Sequence, residues 1–360
     1  MEYRTFVPGA DDAAVLKLRA NVWGAENPQT MPEFLHWLLG GTPAGAGSGV
    51  MMLDSQEVVG FAGLLPRRVE IESESLAVAQ CVDYMVQTKA RSRAGSFRIM
   101  SIWTRLARDL GFAFGMGFPN ASSHKIVTRS KLGWREAFWP ALMVRPLSGA
   151  AVPGFLAHWG SASLLRYGTG VVAKLANARA GWSLRRKPRG EAFLIDHFDS
   201  RFDHLWQRVR AGSFSGIRRD AAYLNWRFVR QPTYSYLRIG WESSGEVLGY
   251  AIASPREVLG VPSMLLVDLL AAPDAASHVA AALLEEVVHR AEAQGNHLLQ
   301  ALTVNGSPME AVLRRTGFVT VPPRFNPKPF VMTVHDLGAS SNLPAFWADW
   351  HFSWGDMDVV

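Results

Sequence analysis

An internal repeat constrains this chain more than any other feature. After a helix near Ala13–Trp23, hydrophobic periodicity predicts a hairpin with strands near Val50–Leu53 and Val58–Pro66 around the polar turn Asp54-Ser55-Gln56. An apolar strand follows at Leu76–Val86, then a basic loop and a helix from about Phe97 to Leu110. A short strand at Phe112–Gly115, a Pro-Asn-Ser loop and a helix from about Ser123 to Lys131 lead to Gly133, placed as a helix-terminating glycine. The second half repeats this order. Strands at Tyr236–Trp241 and Val247–Ser254 flank Ser243-Ser244-Gly245, and a strand at Met264–Ala271 precedes a long helix ending near Gln294-Gly295. A strand at His297–Val304, the loop Asn305-Gly306-Ser307-Pro308, a short helix and Gly317-Phe318 complete it. Asp83 to Gly133 is 50 residues and Asp268 to Gly317 is 49; Asn120 to Gly133 is 13 and Asn305 to Gly317 is 12. Matched spacings in one order indicate a duplicated αβ unit, and strands alternating with helices predict an α/β class with mixed (α+β) sheets.

A length of 360 residues suits two such units, and 48% hydrophobic with 19% charged residues can fill two cores. The expected division is 1–148, a helical and basic linker at 149–190, and 191–360. The linker ends Arg185-Arg186-Lys187-Pro188-Arg189, either a surface for an anionic partner or a solvated connection packed across both units. A net charge of +6 suits an anionic ligand, but zinc-ligand spacing and aromatic-basic ribonucleoprotein motifs are lacking, so nucleic acid is not expected. The single cysteine, Cys81, lies in an apolar strand and reads as core. Met1-Glu2-Tyr3-Arg4 has no apolar signal region, and no uncharged apolar run reaches the ~18–20 residues of a membrane span, so the cytoplasm is the expected compartment.

The most informative segment runs Val86-Gln87-Thr88-Lys89-Ala90-Arg91-Ser92-Arg93-Ala94-Gly95-Ser96 between a strand and a helix. Its small residues let backbone N–H groups converge at a helix N-terminus, and Lys89, Arg91 and Arg93 add positive charge: a phosphate-binding composition. The segment resembles the acyl-coenzyme A pyrophosphate loop of the GNAT superfamily of N-acetyltransferases, Arg/Gln-x-x-Gly-x-Gly/Ala, here Arg91-x-x-Ala94-x-Ser96. Gly117-Phe118-Pro119-Asn120-x-x-Ser123 and Lys131-Leu132-Gly133-Trp134 are similar to the following family segments, and Tyr223-Leu224-Asn225-Trp226-Arg227-Phe228 resembles a block of the tandem two-domain subgroup. The resemblance spans about residues 1–145 and 200–335. It implies two GNAT-like domains with acetyl-CoA or another acyl-CoA as co-substrate and no metal. Implied donor contacts are Arg91, Ser92, Arg93, Ala94, Gly95 and Ser96 around pyrophosphate, Asn120 and Ser123 along the pantetheine arm, and the backbone of Met85 or Val86 at the thioester carbonyl.

The second half departs from this pattern. In place of the basic loop it has Pro273-Asp274-Ala275-Ala276-Ser277-His278, where Asp274 suits a helix cap but repels pyrophosphate. It is read as a degenerate copy that shapes the acceptor pocket, so one donor per chain is expected.

Acyl transfer needs the amine deprotonated, the oxyanion stabilised and the thiolate protonated. The family's usual acid, a Tyr four residues before the closing glycine, is Arg129 in the first half and Leu313 in the second. Tyr84 and His124 are candidate acids, each with an ordinary structural role open to it. Asp83, a lone carboxylate in an apolar strand, is the candidate base or a hydrogen-bonded structural residue, as its counterpart Asp268 suggests. The tail from Trp347 to Asp358 either closes an acceptor pocket, with Asp356 and Asp358 as contacts, or packs on the second core. Arg218, Arg219 and Arg227 either hold an anionic acceptor or pair with local acids. The expected activity is N-acyl transfer to the amine of a small metabolite or amino sugar; the alternatives are transfer-RNA-dependent aminoacyl transfer and a coenzyme-binding scaffold without turnover.

Overall fold

The computed structural model describes residues 1–72, 74–91, 93–128, 130–148, 188–212, 214–326, 329–338 and 347–357. Most of the 149–190 linker, together with Ser92, Arg129 and Asp358, lies outside the described residues.

Two mixed sheets form. The first is ordered β1 (Glu2–Thr5), β2 (Ser48–Asp54), β3 (Glu57–Ile71), β4 (Glu74–Val86), β5 (Phe114–Gly117), β15 (Met332–Asp336) and β6 (Arg135–Phe138). Two further strands, β9 (Ser215–Ile217) and β16 (Trp350–His351), extend it from the far end of β3. The second is ordered β14 (Val319–Thr320), β7 (Ala141–Pro146), β13 (Leu298–Thr303), β12 (Val261–Ala271), β11 (Glu246–Val258), β10 (Leu237–Ser243) and β8 (Glu191–Leu194). Along each main path only one pair is parallel, β4 with β5 and β12 with β13. A parallel pair needs a crossover, supplied by α3 (Arg93–Asp109) and by α7 (Ala276–Ala293).

The predicted repeat is present, with β3 and β11 running longer than periodicity indicated. The sheets also exchange strands. The chain leaves the first sheet at Trp139-Pro140, and β7 pairs antiparallel with β13 of the second, Ala301 opposite Met143. Reciprocally, β15 follows the second unit in sequence yet pairs with β5 of the first, Val334 opposite Met116. Each fifth strand is thereby covered by a strand from the other half.

Sheet faces alternate accordingly. On the outer side, Ile99, Met100, Trp103 and Ala107 of α3 pack on Val50, Met52, Val59 and Ala62, while α7 packs on Met264, Leu266, Leu299 and Ala301. The inner faces enclose one continuous core containing α1 (Asp12–Trp23), α2 (Pro32–Leu39), α5 (Ser200–Ala211) and α6 (Ala221–Phe228), with α4 (Ala121–Val127) and α8 (Pro308–Arg315) following the fifth strands. Helix α6 holds the Tyr223–Phe228 block and starts on Asp220, whose side chain accepts from the Tyr223 N–H. Its counterpart α2 carries Phe34-Leu35-His36-Trp37 where α6 has Tyr223-Leu224-Asn225-Trp226.

Asp274 does not cap α7: the N-cap is Ala275 without a side-chain bond, and Asp274 instead accepts from Arg208 of α5 at 2.8 and 2.9 Å. Gly133 adopts φ +74°, as its helix-terminating position predicts.

Candidate functional site

Pairing between β4 and β5 stops at Cys81 opposite Gly117, where β5 ends, while β4 continues to Val86. On its other edge β4 bulges against β3: Val82 faces Gly63 and Met85 faces Phe61, leaving Asp83 and Tyr84 opposite Ala62. Asp83 takes the left-handed conformation this requires, φ +52°, which aspartate tolerates better than most residues. A cavity of about 830 Å³ opens at this place.

The cavity brings together Asp83, Tyr84, Asn120 and Ser123 of the sequence candidates. The Asp83 carboxylate accepts, through Oδ2, from the buried guanidinium of Arg19 of α1. Arg19 in turn donates to the Gln29 carbonyl at 2.7 Å and lies 5.5 Å from the Phe34 ring. Asp83 thus joins the bulge of β4 to α1 through a buried ion pair. The Tyr84 hydroxyl donates to the Ser96 carbonyl in the first turn of α3 at 3.0 Å, and burial pushes its pKa up to about 12. Asn120 Oδ1 accepts from the Ser123 N–H and hydroxyl, both at 3.1 Å, and so fixes the start of α4 on the cavity wall.

Other candidates lie elsewhere. His124 bonds Glu136 at 2.8 Å and packs edge-on to Trp139; it is not on the cavity wall. Met85 and Val86 are paired with β3 and buried. Arg91 is exposed and its Nε donates to the Val86 carbonyl at 2.9 Å; Lys89 pairs with Glu57 at 3.0 Å. Gly95 and Ser96 are buried in the first turn of α3. Ser92, Arg129 and the side chains of Arg93 and Ala94 lie outside the described residues. Cys81, read as core, is only partly buried and lines the cavity.

The second half contributes wall residues: Trp354 from the tail, which the sequence offered as a pocket closure, and three that sequence reasoning missed, Arg256 and Glu257 from β11 and Gln300 from β13. Gln300 carried the same signal as Asp83, a polar side chain inside an apolar strand. Arg256 and Glu257 carried none, because only the meeting of the two halves brings them to this cavity.

The matching place in the second half is filled. Asp268, the counterpart of Asp83, accepts from Arg219 at 2.8 Å, the Tyr250 hydroxyl at 2.9 Å and the Ser353 hydroxyl at 2.9 Å. Burial acts to raise the pKa of Asp268, but Arg219 and His351 outweigh it and hold the carboxyl well below its usual range. Arg219 also pairs with Asp356 at 2.6 Å, and Arg227 donates to the carbonyls of Gly355 and Met357. Arg218 pairs with Glu70 at 2.8 Å, so all three arginines are engaged within the chain. A Cβ on Gly355 would sit 3.3 Å from the Val267 carbonyl, so the tail lies directly on β12. The tail thus packs on the second half and, through Trp354 and Met357, also walls the cavity.

Among the described residues, no helix is long and apolar enough to cross a membrane, and no group of three or more potential metal ligands occurs.

No protein-family model and no curated protein sequence matches the chain. Solved structures do. A conserved protein of Enterococcus faecalis V583, described as a probable N-acyltransferase, superposes with a TM-score of 0.63 at 12% identity, over 94% of this chain and 74% of that one. A GCN5-related N-acetyltransferase from Anabaena variabilis ATCC 29413 gives 0.63 at 8% identity, over 94% and 73%. A tandem GNAT protein from the clavulanic acid biosynthesis pathway gives 0.56 at 15% identity, over 94% and 99%. With its two mixed sheets, each with one parallel pair along its main path, the chain is a tandem GNAT fold.

Proposed function

We propose that the protein moves an acyl group, acetyl in the simplest case, from acyl-coenzyme A to an amine of a small molecule. The donor belongs to the 1–148 half, and the 191–360 half shapes the acceptor side. The observation that carries this reading is the asymmetry between the halves: the first keeps a cavity beside β4 where β5 ends, and the second has its own tail packed on β12. Arg91 and the start of α3, the latter bonded to the cavity residue Tyr84 through the Ser96 carbonyl, suit a pyrophosphate.

In the reaction the amine nitrogen attacks the thioester carbon, the C–N bond forms, the C–S bond breaks and the thiolate takes a proton. The carboxylates on the cavity wall are Asp83 and Glu257. Asp83 is committed to Arg19, whereas Glu257 is exposed and makes no ion pair among the described residues. Glu257 is therefore the better placed acceptor for the ammonium proton. The Tyr84 phenol, protonated to about pH 12, is a hydrogen-bond donor rather than a ready proton source.

A coenzyme-binding protein without turnover is the second reading. It is favoured by the engagement of Asp83 by Arg19, of Tyr84 by the Ser96 carbonyl and of His124 by Glu136. Calorimetric titration with acetyl-CoA tests the donor assignment: one site per chain, weakened more than about tenfold by Arg91→Glu, which corresponds to ~1.4 kcal/mol. No binding at millimolar ligand overturns it. Transfer to amines, assayed on the same protein, separates enzyme from scaffold.

A further inference from the structure

The cavity wall is chemically uneven. Beside β4 and the end of β5, Asp83, Tyr84, Asn120 and Ser123 stand among apolar residues such as Val82, Phe118 and Trp134. Where it reaches the inner face of the second sheet, Leu142, Leu265 and Leu302 line it. These leucines belong to the inner core, as alternation along β7, β12 and β13 requires, while Met143, Leu266 and Ala301 face α7. Among them stands Gln300. It is 3% exposed, lines the cavity, and its amide nitrogen has no hydrogen-bond partner among the described residues. A buried amide donor left unpaired costs about 1–3 kcal/mol, and a leucine there would match its neighbours. On a cavity wall, such an amide is a donor open to a group that enters the cavity.

We propose that this part of the cavity receives the body of the amine acceptor and that Gln300 is its specificity-determining contact. The acceptor class is a primary amine on an apolar, aliphatic or aromatic, frame that carries one hydrogen-bonding oxygen for the Gln300 amide. A polyhydroxylated amino sugar suits this part of the wall less well, because hydroxyls set against Leu142, Leu265 and Leu302 would lack partners there. The inference rests on the acyl-transfer reading for the word acceptor, but the wall chemistry stands without it.

The test uses the full chain with phenethylamine, tyramine and glucosamine as probes, each titrated with and without saturating coenzyme A. Tyramine is expected to bind at least about tenfold more tightly than glucosamine, and Gln300→Leu to weaken tyramine by about tenfold, the scale of one hydrogen bond, while phenethylamine stays within twofold. The variant should melt no lower than the wild type, because it removes an unpaired polar group. Preferential binding of glucosamine, or equal weakening of both aromatic amines by the variant, overturns the proposal. Hexanoyl-CoA is titrated beside acetyl-CoA: a Gln300→Leu effect confined to hexanoyl-CoA would give this part of the cavity to the acyl chain and overturn the acceptor assignment. Failure of any coenzyme to bind, with the amine preferences intact, would instead remove the acyl-transfer reading and leave the apolar site.

Discussion

The indole of Trp37 lies parallel on the indole of Trp226, with ring centroids 4.8 Å apart and planes 12° apart. Each ring N–H donates to the other residue's backbone carbonyl, at 2.7 and 3.0 Å. Both residues are buried, and they occupy equivalent positions of α2 and α6, so the two halves meet on a reciprocal contact about a local twofold. With the exchanged strands β7 and β15, this contact ties the cores together. Replacing either tryptophan with alanine should cost about 3–5 kcal/mol, and the double variant less than the sum of the two, because each single change already removes the shared stack. Both halves should unfold in one transition. Two resolved thermal transitions in the wild type would contradict the interlocked arrangement.

The Arg19–Asp83 pair and Glu257 make opposite predictions. Asp83→Asn leaves a buried guanidinium without its counter-charge and should destabilise the protein by about 3–5 kcal/mol; Arg19→Met with Asp83→Asn should recover part of that loss. Glu257→Gln, at an exposed carboxylate, should leave the melting temperature unchanged while lowering kcat/KM for the amine. A transfer rate insensitive to Glu257→Gln but abolished by Asp83→Asn in a still-folded protein would return the base role to Asp83.

Cys81 is the chain's only cysteine and lies on the cavity wall beside Gly117. N-ethylmaleimide should therefore modify one site per chain. Acetyl-CoA at ten times its dissociation constant should slow that modification about tenfold, because only the free protein reacts. Equal rates with and without the ligand would place the donor somewhere other than this cavity.

Alkaline pH should destabilise the fold through its buried phenols. Tyr84 is neutral to about pH 12 when folded, and burial also raises Tyr223 and Tyr250. In the unfolded chain a phenol ionises near pH 10. The stabilisation is complete below pH 10 and is lost as pH rises toward 12, where the unfolded state has released protons that the folded state retains. For Tyr84 alone the loss is about 3 kcal/mol. Denaturant midpoints measured from pH 8 to 12 should fall above pH 10, and less steeply in Tyr84→Phe.

The sequence by itself determined the repeat. Period-two apolar segments, the polar turns at Asp54-Ser55-Gln56 and Ser243-Ser244-Gly245, and Gly133 at φ +74° are local signals, set by side-chain alternation and by the conformational freedom of single residues. The asymmetry between the basic loop around Arg91 and the acidic Asp274 segment was equally visible, since charge is written residue by residue. Tertiary structure alone decided how the repeats were joined. Nothing local to Ala141–Pro146 distinguishes pairing with β5 from pairing with β13, because a strand's edge bonds to any complementary edge that the rest of the chain presents. The helical state of Pro32–Leu39 and the equivalence of Trp37 to Trp226 emerged in the same way, from burial against the other half rather than from propensity. The cavity follows that rule: β4 supplies the bulge at Asp83, but the leucines, Gln300 and Glu257 reach it only after two distant sheets have packed face to face.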